Sequence, residues 1–269
     1  MNARILSVVN QKGGVGKTTT AINFGAALAA LDQRVLLVDC DPQANATRGL
    51  GVDTEGPHLY EALLGECTLG DVIHPSGFPN LDLVPSSRQL VGVEVEFVGS
   101  ESWEFRLRDL LGAVAGYDLV LLDSPPSLGH LTISLLAASH GVLIPLQCEY
   151  FALEGMGELF ATVRRVRQSL NPRLEIEGIV LTMYDERTNL AKEVVEEVRS
   201  HFPDRVFATV VPRNVRLAEA PSHGMPVLQY DIKSRGAQAY LALAQEYLDR
   251  RAEASATTSV DRSQREAVP

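Results

Sequence analysis

The sequence lacks any run of about 18 consecutive apolar residues, the length that a membrane-spanning helix requires. Its N-terminal residues lead directly into a short apolar run, without the cleavage pattern of a signal peptide. The chain has only three cysteines, Cys40, Cys67 and Cys148, and their spacing matches neither a zinc site nor a disulfide framework. We therefore expect a cytoplasmic protein without membrane spans, in which the thiols are small buried side chains.

Positive charge is scarce in the first two-thirds of the chain. Residues 1–183 hold 12 Lys and Arg against 21 Asp and Glu, whereas residues 184–235 hold 8 of each kind. The overall net charge of −10 is opposite in sign to that of a typical nucleic-acid-binding domain. The uneven distribution nevertheless leaves room for a locally basic face in the last third of the chain.

Apolar runs of strand length alternate with helical patterns along most of the chain. The runs show no alternation with polar residues, which is typical of strands buried on both faces of a parallel sheet. We therefore predict an α/β fold over residues 1–251, with a single doubly wound, mostly parallel sheet and helices on both faces. Residues 252–269 are rich in Ser, Thr and Ala, and we expect a disordered tail there. The predicted strands are residues 4–9, 34–39, 80–84, 118–123, 141–146, 176–182 and 206–211, and the predicted helices are residues 18–31, 103–115, 153–169, 190–201 and 236–251.

A loop rich in glycine and lysine separates the first strand from the first helix. Glycines there let successive backbone N–H groups point inward, and the N-terminus of the following helix favours a phosphate. This context is the one that a P-loop requires, although Gln11 stands where the common pattern has glycine. We expect Lys17 to reach the β- and γ-phosphates of ATP, and the Thr18 hydroxyl to bind Mg²⁺. The other expected contacts to the nucleotide come from Lys12, Gly13, Gly14, Val15, Gly16 and Thr19.

The second lysine of this loop, Lys12, has two interpretations. It follows the strand end and precedes the phosphate cradle, so its side chain could point away from its own nucleotide. A cation in that place could contact the phosphates of a neighbouring subunit, in the manner of an arginine finger supplied in trans. Alternatively, Lys12 is a solvated surface side chain, and the spacing alone does not choose between the two.

Three aspartates follow apolar runs, at the strand ends where ligands of doubly wound sheets bind. We predict that Asp123 holds Mg²⁺, through a water molecule, and that Asp41 orients or deprotonates the attacking water. Asp39 is expected to have a structural role. No glutamate lies next to Asp123, where many P-loop ATPases have a water-activating acid, and this absence predicts slow turnover.

At these residues the chain strongly resembles the ParA/Soj chromosome-partitioning ATPases of the deviant Walker A, MinD-like superfamily, over about residues 3–250. The loop and the segment from Asp123 to Gly129 are shared across that superfamily. Two further motifs, residues 182–190 and 211–224, are typical of the ParA/Soj branch. The motifs are residues 12–19 (KGGVGKTT), 39–47 (DCDPQANAT), 123–129 (DSPPSLG), 147–150 (QCEY), 182–190 (TMYDERTNL) and 211–224 (VPRNVRLAEAPSHG).

The resemblance implies a homodimer that forms on ATP binding, with Lys12 acting in trans and Gly13 lying where the two subunits meet. It also implies that Pro212 and Asn214 frame the adenine. The ATP-bound dimer of such proteins binds double-stranded DNA without sequence preference, and a centromere-binding ParB-type partner stimulates hydrolysis, so we expect association with the nucleoid. By similarity, the expected DNA contacts are Arg187, Arg213, Arg216, Lys233 and Arg235.

Three other functions are compatible with parts of this sequence. A MinD-like membrane-cycling ATPase needs an amphipathic C-terminal helix, but residues 252–269 offer few bulky apolar side chains. A nitrogenase-like iron protein needs paired cysteines for a cluster, which this spacing does not supply. A ParA-like ATPase that positions a non-DNA cargo would share the whole nucleotide site, and only the arginines of the last third argue against it.

Overall fold

A computed structural model describes residues 3–52, 55–97, 99, 101–150 and 152–266 of the chain. The strands in these residues form one sheet, and all neighbouring pairs except β3 and β4 are parallel. The strands are β1 (Arg4–Val8), β2 (Val35–Asp39), β3 (His74–Phe78), β4 (Leu81–Val84), β5 (Leu119–Asp123), β6 (Gly141–Gln147), β7 (Glu175–Tyr184) and β8 (Val206–Pro212), and they lie side by side in the order β3-β4-β2-β5-β1-β6-β7-β8.

Helices cover both faces of this sheet, and short 3₁₀ turns interrupt the connections. The α-helices are α1 (Lys17–Ala30), α2 (Asn45–Gly49), α3 (Leu59–Leu64), α4 (Val93–Glu96), α5 (Arg106–Leu111), α6 (His130–Ala138), α7 (Met156–Ser169), α8 (Asn189–His201), α9 (Val215–Glu219), α10 (Val227–Tyr230) and α11 (Arg235–Glu266). The 3₁₀ turns are Leu69–Val72, Arg88–Gly92, Trp103–Phe105 and Ala220–His223.

The doubly wound, mostly parallel sheet expected from the sequence is therefore confirmed, and each of the seven predicted strands is present. The sheet has one further strand, β3, which pairs antiparallel with β4 at the edge. Its sequence, His-Pro-Ser-Gly-Phe, contains proline and glycine and has no apolar run. A strand of this composition is confined to an edge, where fewer ladder hydrogen bonds are needed.

Helix α6 also carries little sequence signal. Seven of its nine residues are buried, so it has no polar face and none of the periodicity of an amphipathic helix. It packs between the sheet and the segment around α4, where Leu131 and Leu135 share one apolar cluster with Val93 and Phe97. On the other face, α1 packs with α11, and the Phe24 and Tyr247 rings meet edge-on with centroids 5.4 Å apart.

Helix α11 continues to Glu266, and its last residues lie in the 252–269 segment that we expected to be disordered. The backbone of residues 252–266 is helical, and residues 267–269 lie outside the described part. The boundary between domain and tail stays a prediction. Within the described residues, no helix is both long enough and apolar enough to cross a membrane.

The register of the central strands brings together three segments at the carboxyl ends of β1, β5 and β2. Val8, the last residue of β1, lies opposite Asp123 of β5, and Asp123 in turn lies opposite Asp39 of β2. Because the strands are parallel, the loop that follows β1 emerges beside both aspartates. Ligands of doubly wound folds bind at the carboxyl ends of the strands, where these residues lie.

Candidate functional site

The loop between β1 and α1 is shaped by two glycines and held by neighbouring strands. Gly14 and Gly16 have φ of 77° and 88°, a left-handed conformation that glycine adopts without steric cost. Asn10 accepts a hydrogen bond from Lys12 N (3.0 Å) and donates one to Pro145 O (2.8 Å). At the far side of the loop, the Thr182 hydroxyl donates to Val15 O at 2.8 Å.

The N-terminus of α1 opens into this loop without a side-chain cap. Its N-cap residue is Gly16, which has no side chain to accept a hydrogen bond from the first N–H groups of the helix. No acidic residue lies in the first turn. The first N–H groups of a helix have no partner within the helix, and their dipoles favour an anion. The end of α1 is therefore prepared for a phosphate.

Lys17 is the first residue of α1 and is directed back into the loop. Only 7% of the residue is exposed, and its Nζ donates to Lys12 O at 3.2 Å. Burial lowers the pKa of the ammonium, while the nearby carboxylates of Asp123 and Asp41 act in the opposite direction. The side chain of Lys17 thus lies inside the loop, and its contact with the terminal phosphates stays a prediction.

Asp123 is the most unusual side chain of the site. The residue is fully buried, and neither carboxylate oxygen has a hydrogen-bond partner of ordinary geometry in the described part of the chain. Burial, followed by repulsion from Asp39, raises its pKa well above the usual range, although the neighbouring Thr18 hydroxyl favours the charged form. An unpaired buried carboxylate is costly, so this arrangement indicates a site that suits a cation.

The donor set around Asp123 fits Mg²⁺. Among the described residues, no group of three or more His, Cys, Asp and Glu side chains could hold a metal ion. Mg²⁺ does not need such a cage, because it keeps water ligands and binds through one or two protein oxygens together with phosphates. Asp123 and the Thr18 hydroxyl at the start of α1 supply such oxygens beside the phosphate loop.

Asp39 and Asp41 follow the same strand but have different surroundings. Asp39 is buried and accepts hydrogen bonds from Thr47 N (2.8 Å), the Thr47 hydroxyl (2.7 Å) and Asp41 N (3.1 Å). Burial raises its pKa to about 6, and the hydrogen bonds oppose that rise. This carboxylate braces the turn after β2, which is the structural role that we expected. Asp41 accepts from Gln43 N at 2.9 Å, and its catalytic role stays a prediction.

Lys12 lies at the outer rim of the loop. Its side chain is 41% exposed, and the nearest acid is Glu149, with 3.9 Å between Lys12 Nζ and a carboxylate oxygen. Gly13, next to it, has open space around the position that a Cβ would take. The structure thus places Lys12 away from the buried centre of its own site, which both interpretations of this residue allow.

A cavity of about 280 Å³ begins beside the loop and extends between the ends of β7 and β8. Pro212 and Asn214, which we expected to frame adenine, lie in its wall. Sequence reasoning did not single out Met183, Leu217 or Tyr240, which also line it. Met183 and Leu217 stood in quoted motifs without a role, and nothing local marks Tyr240. The lining residues are Gly16, Thr19, Thr182, Met183, Val211, Pro212, Arg213, Asn214, Leu217, Ala218 and Tyr240.

The five cations expected to contact DNA lie on neighbouring surface segments, and three of them are paired with acids. Arg187 contacts Asp185 at 2.6 Å, Arg216 contacts Glu219 at 2.7 Å and Arg235 contacts Glu186 at 3.1 Å. Arg213 N donates to Tyr184 O, which ties the end of β8 to the end of β7, and Lys233 N donates to Asp231 within its own segment. In the described part of the chain, the side chains of Arg213 and Lys233 form no ion pair within 4.0 Å. Their role stays a prediction.

Comparisons with known proteins agree with this geometry. A family model described as "AAA domain" matches residues 3–176. The chain is 54% identical to the "Chromosome partitioning protein ParA" of Myxococcus xanthus over 250 residues, covering 92% of this chain and 88% of that protein. It is 53% identical to the "Sporulation initiation inhibitor protein Soj" of Bacillus subtilis over 246 residues, covering 90% and 97% respectively.

A solved structure with a similar fold holds a nucleotide and magnesium. The "Cobyrinic Acid a,c-diamide synthase" of Mycobacterium smegmatis is 36% identical to this chain, with a TM-score of 0.80, over 90% of this chain and 93% of that one. It has been solved with ADP and magnesium, and also with an ATP analogue and magnesium. Identity above one half along almost the whole chain shows that the protein belongs to the ParA/Soj family of chromosome-partitioning proteins.

Proposed function

We propose that this protein is a Mg²⁺-dependent ATPase that works as a slow switch in the partitioning of DNA. The observation that carries the proposal is the pairing of an open phosphate loop with a buried, unpartnered carboxylate, Asp123, beside the buried ammonium of Lys17. Family membership supports the same activity, because relatives of this chain are named chromosome-partitioning ATPases.

The residues of the loop divide the binding of the triphosphate between them. The backbone N–H groups of residues 13–18 surround the phosphates, and Lys17 neutralises charge on the terminal ones. The Thr18 hydroxyl and Asp123 would hold Mg²⁺, which would neutralise negative charge on the phosphates. Pro212 and Asn214 contact the adenine in the cavity at the end of β8.

Asp41 is proposed to orient the attacking water. It is largely buried just after β2, and like Asp123 it lies at the carboxyl ends of the strands. One of its oxygens accepts a hydrogen bond from Gln43 N. The chain has Ser124 next to Asp123 where a water-activating glutamate could stand. Hydrolysis is therefore slow, which suits a switch whose lifetime is set by a partner.

The switch is proposed to be dimerisation. In an ATP-bound homodimer, Lys12 reaches the phosphates of the other subunit, and Gly13 lies at the point of contact. The exposed position of Lys12, whose ion pair with the exposed Glu149 is long at 3.9 Å, supports this role. Light scattering with Mg²⁺ and a non-hydrolysable ATP analogue tests it. We expect a dimer for the wild type and a monomer for Lys12→Ala; a wild-type monomer under these conditions would contradict the proposal.

The proposed dimer binds double-stranded DNA without sequence preference, and a ParB-type protein stimulates its hydrolysis. The supporting observation is the group of five cations around β7, β8 and the start of α11. Three of these cations are paired with acidic side chains, and these ion pairs must break when the cations bind DNA phosphates. Contacts to phosphates alone predict an affinity that falls steeply with salt. Such binding would place the protein on the nucleoid in the cytoplasm.

Co-sedimentation with non-specific DNA, in ATP against ADP, tests this part of the proposal. We expect Arg216→Glu to abolish binding to the duplex while ATP binding is retained, and Arg164→Glu, a substitution on α7, to serve as the control. DNA binding by Arg216→Glu at the wild-type level would reject the assignment. If the wild type binds ATP and dimerises but sediments without DNA, the alternative of a ParA-like ATPase for a non-DNA cargo is favoured.

A further inference from the structure

One carboxylate outside the nucleotide site is bound to the loop that carries Asp123. Glu94, on α4, accepts hydrogen bonds from the backbone N–H groups of His130 (3.2 Å) and Leu131 (3.3 Å) at the start of α6. The His130 ring also contacts it, with 2.7 Å between Nδ1 and Oε2. Because a carboxylate can only accept, Nδ1 carries the proton. Helix α6 has no cap of its own, so Glu94 fills that role.

The same carboxylate lies against a glycine. A Cβ on Gly129 would stand 2.7 Å from Glu94 Oε1, so the flexible end of the Glu94 side chain would have to move away from its contacts with α6 to admit it. Gly129 ends the loop of residues 124–129, which begins directly after Asp123. The loop is short and is held at both ends, since Ser124 Oγ donates to Val8 O (2.8 Å) and Thr132 Oγ1 donates to Ser127 O (2.7 Å). Any displacement of Glu94 is therefore transmitted to this loop.

Glu94 is itself held firmly. Its neighbours Val93 and Phe97 are buried in the same apolar cluster as the inner face of α6. Partial burial raises the pKa of Glu94, but the hydrogen bonds from His130 and Leu131 outweigh that effect and hold it below its usual range. The carboxylate thus stays charged at neutral pH and available as an acceptor for the start of α6.

An aromatic side chain lies directly on this contact. The Trp103 ring meets the His130 ring edge-on, with centroids 4.7 Å apart, and Trp103 O accepts from the Ser134 hydroxyl of α6 at 3.2 Å. Trp103 is the only tryptophan of the chain. Its fluorescence therefore reports on this one place, and a shift of the His130 imidazole against the indole changes the emission.

We propose that Glu94 is a positioning residue for ATP hydrolysis, which holds the end of the Asp123 loop through His130 and the first turn of α6. It touches neither nucleotide nor metal. Its contribution is to fix the loop from outside, so that the Asp123 carboxylate would be held in one position for Mg²⁺ beside the phosphate loop. The proposal rests on the ATPase activity proposed above and adds the residue that sets the position of its metal-binding loop.

Four proteins test this inference: the wild type, Glu94→Ala, Glu94→Gln and the control Glu96→Gln. Glu96 lies on the same helix and contacts only Tyr60 in the described residues, at 3.3 Å. Loss of the two backbone contacts and the ring contact in Glu94→Ala should lower kcat about tenfold while KM for ATP changes less than about twofold. Glu94→Gln, which keeps one acceptor oxygen, should recover part of kcat, and the control should match the wild type.

Tryptophan emission gives a second readout, which a purely structural role would not move. In the wild type, Mg²⁺ with a non-hydrolysable ATP analogue should change the emission of Trp103, whereas the analogue with EDTA should not. In Glu94→Gln this change should shrink, although binding of a fluorescent ATP analogue stays at the wild-type level. Because the measurement on the wild type needs no variant, it tests the inference even if Glu94→Ala fails to fold.

The inference is overturned if kcat of Glu94→Ala equals that of the wild type, or if kcat and KM change in parallel. It is also overturned if Trp103 emission is the same with and without the Mg²⁺ complex in a wild type that binds nucleotide. Failure of the ATPase proposal has a separate signature, because the wild type itself would then neither bind the fluorescent analogue nor hydrolyse ATP.

Discussion

Asp123→Asn should make the nucleotide-free protein more stable while it abolishes Mg²⁺-dependent hydrolysis. Both oxygens of Asp123 are buried without a hydrogen-bond partner among the described residues, and Asp39 lies opposite on the next strand. An unsatisfied buried polar group costs about 1–3 kcal/mol, and more when it is charged. Removing the charge should therefore raise the free energy of unfolding by about 1–3 kcal/mol, which corresponds to roughly 2–4 °C in Tm per kcal/mol for a domain of this size.

The gain should depend on pH, in a direction set by the raised pKa. The folded protein binds the Asp123 proton more tightly than the unfolded chain does, so the wild type loses this stability as pH rises above the unfolded value of about 4. The asparagine variant has no such proton. The difference in stability between variant and wild type should therefore grow as pH is raised from about 4 to about 7.

Urea denaturation at several pH values, without nucleotide and in EDTA, measures this difference. Asp118→Asn is the matched control, because Asp118 directly precedes the same strand but is exposed and paired with Arg34. Its pKa is lowered by hydrogen bonds from Arg34, so its loss should not stabilise the protein. An Asp123→Asn variant that is less stable than the wild type at neutral pH would refute the reasoning. With Mg²⁺ and ATP the wild type should be more stable than Asp123→Asn, because ligand binding strongly stabilises only the wild type.

Further substitutions test the loop and its support. Thr47→Val removes the hydroxyl that donates to Asp39 and accepts from Ser86 N (3.0 Å), so the free energy of unfolding in urea should fall by about 1–3 kcal/mol. Gly14→Ala forces a side chain into a left-handed conformation and should cost about 1 kcal/mol in the isolated subunit, even though the space around it is open. Gly13→Ala lacks that strain and should leave the melting temperature of the monomer unchanged, yet light scattering should show no ATP-dependent dimer. A dimer of wild-type affinity in Gly13→Ala would remove this glycine from the proposed interface.

Much of this fold could be predicted because its signals are local. The strands that end in Asp39 and Asp123 are continuous apolar runs, and a helix follows the glycine-rich loop. Strand β3 and helix α6 escaped prediction for opposite reasons. β3 has the composition of a turn and becomes a strand only because β4 lies beside it, whereas α6 is buried on nearly all sides and has no polar face to mark its period.

The chemistry of the site was predicted in kind, since a loop of this pattern binds phosphates and a strand-end aspartate suits Mg²⁺. The environment of each carboxylate could not be predicted. The sequence does not show that Thr47 donates hydrogen bonds to Asp39, or that both oxygens of Asp123 are buried without a hydrogen-bond partner of ordinary geometry in the described residues. Those facts depend on which segments the sheet brings together across long separations in the chain.

The sequence by itself determined the order of the elements and the phosphate-binding loop, because these depend on apolar runs and on residues adjacent in the chain. Only the tertiary structure decided which aspartate is left without a hydrogen-bond partner, that Tyr240 lines the cavity, and how Glu94 contacts the start of α6. These contacts join residues far apart in sequence, and their energies come from burial and geometry that no local pattern contains.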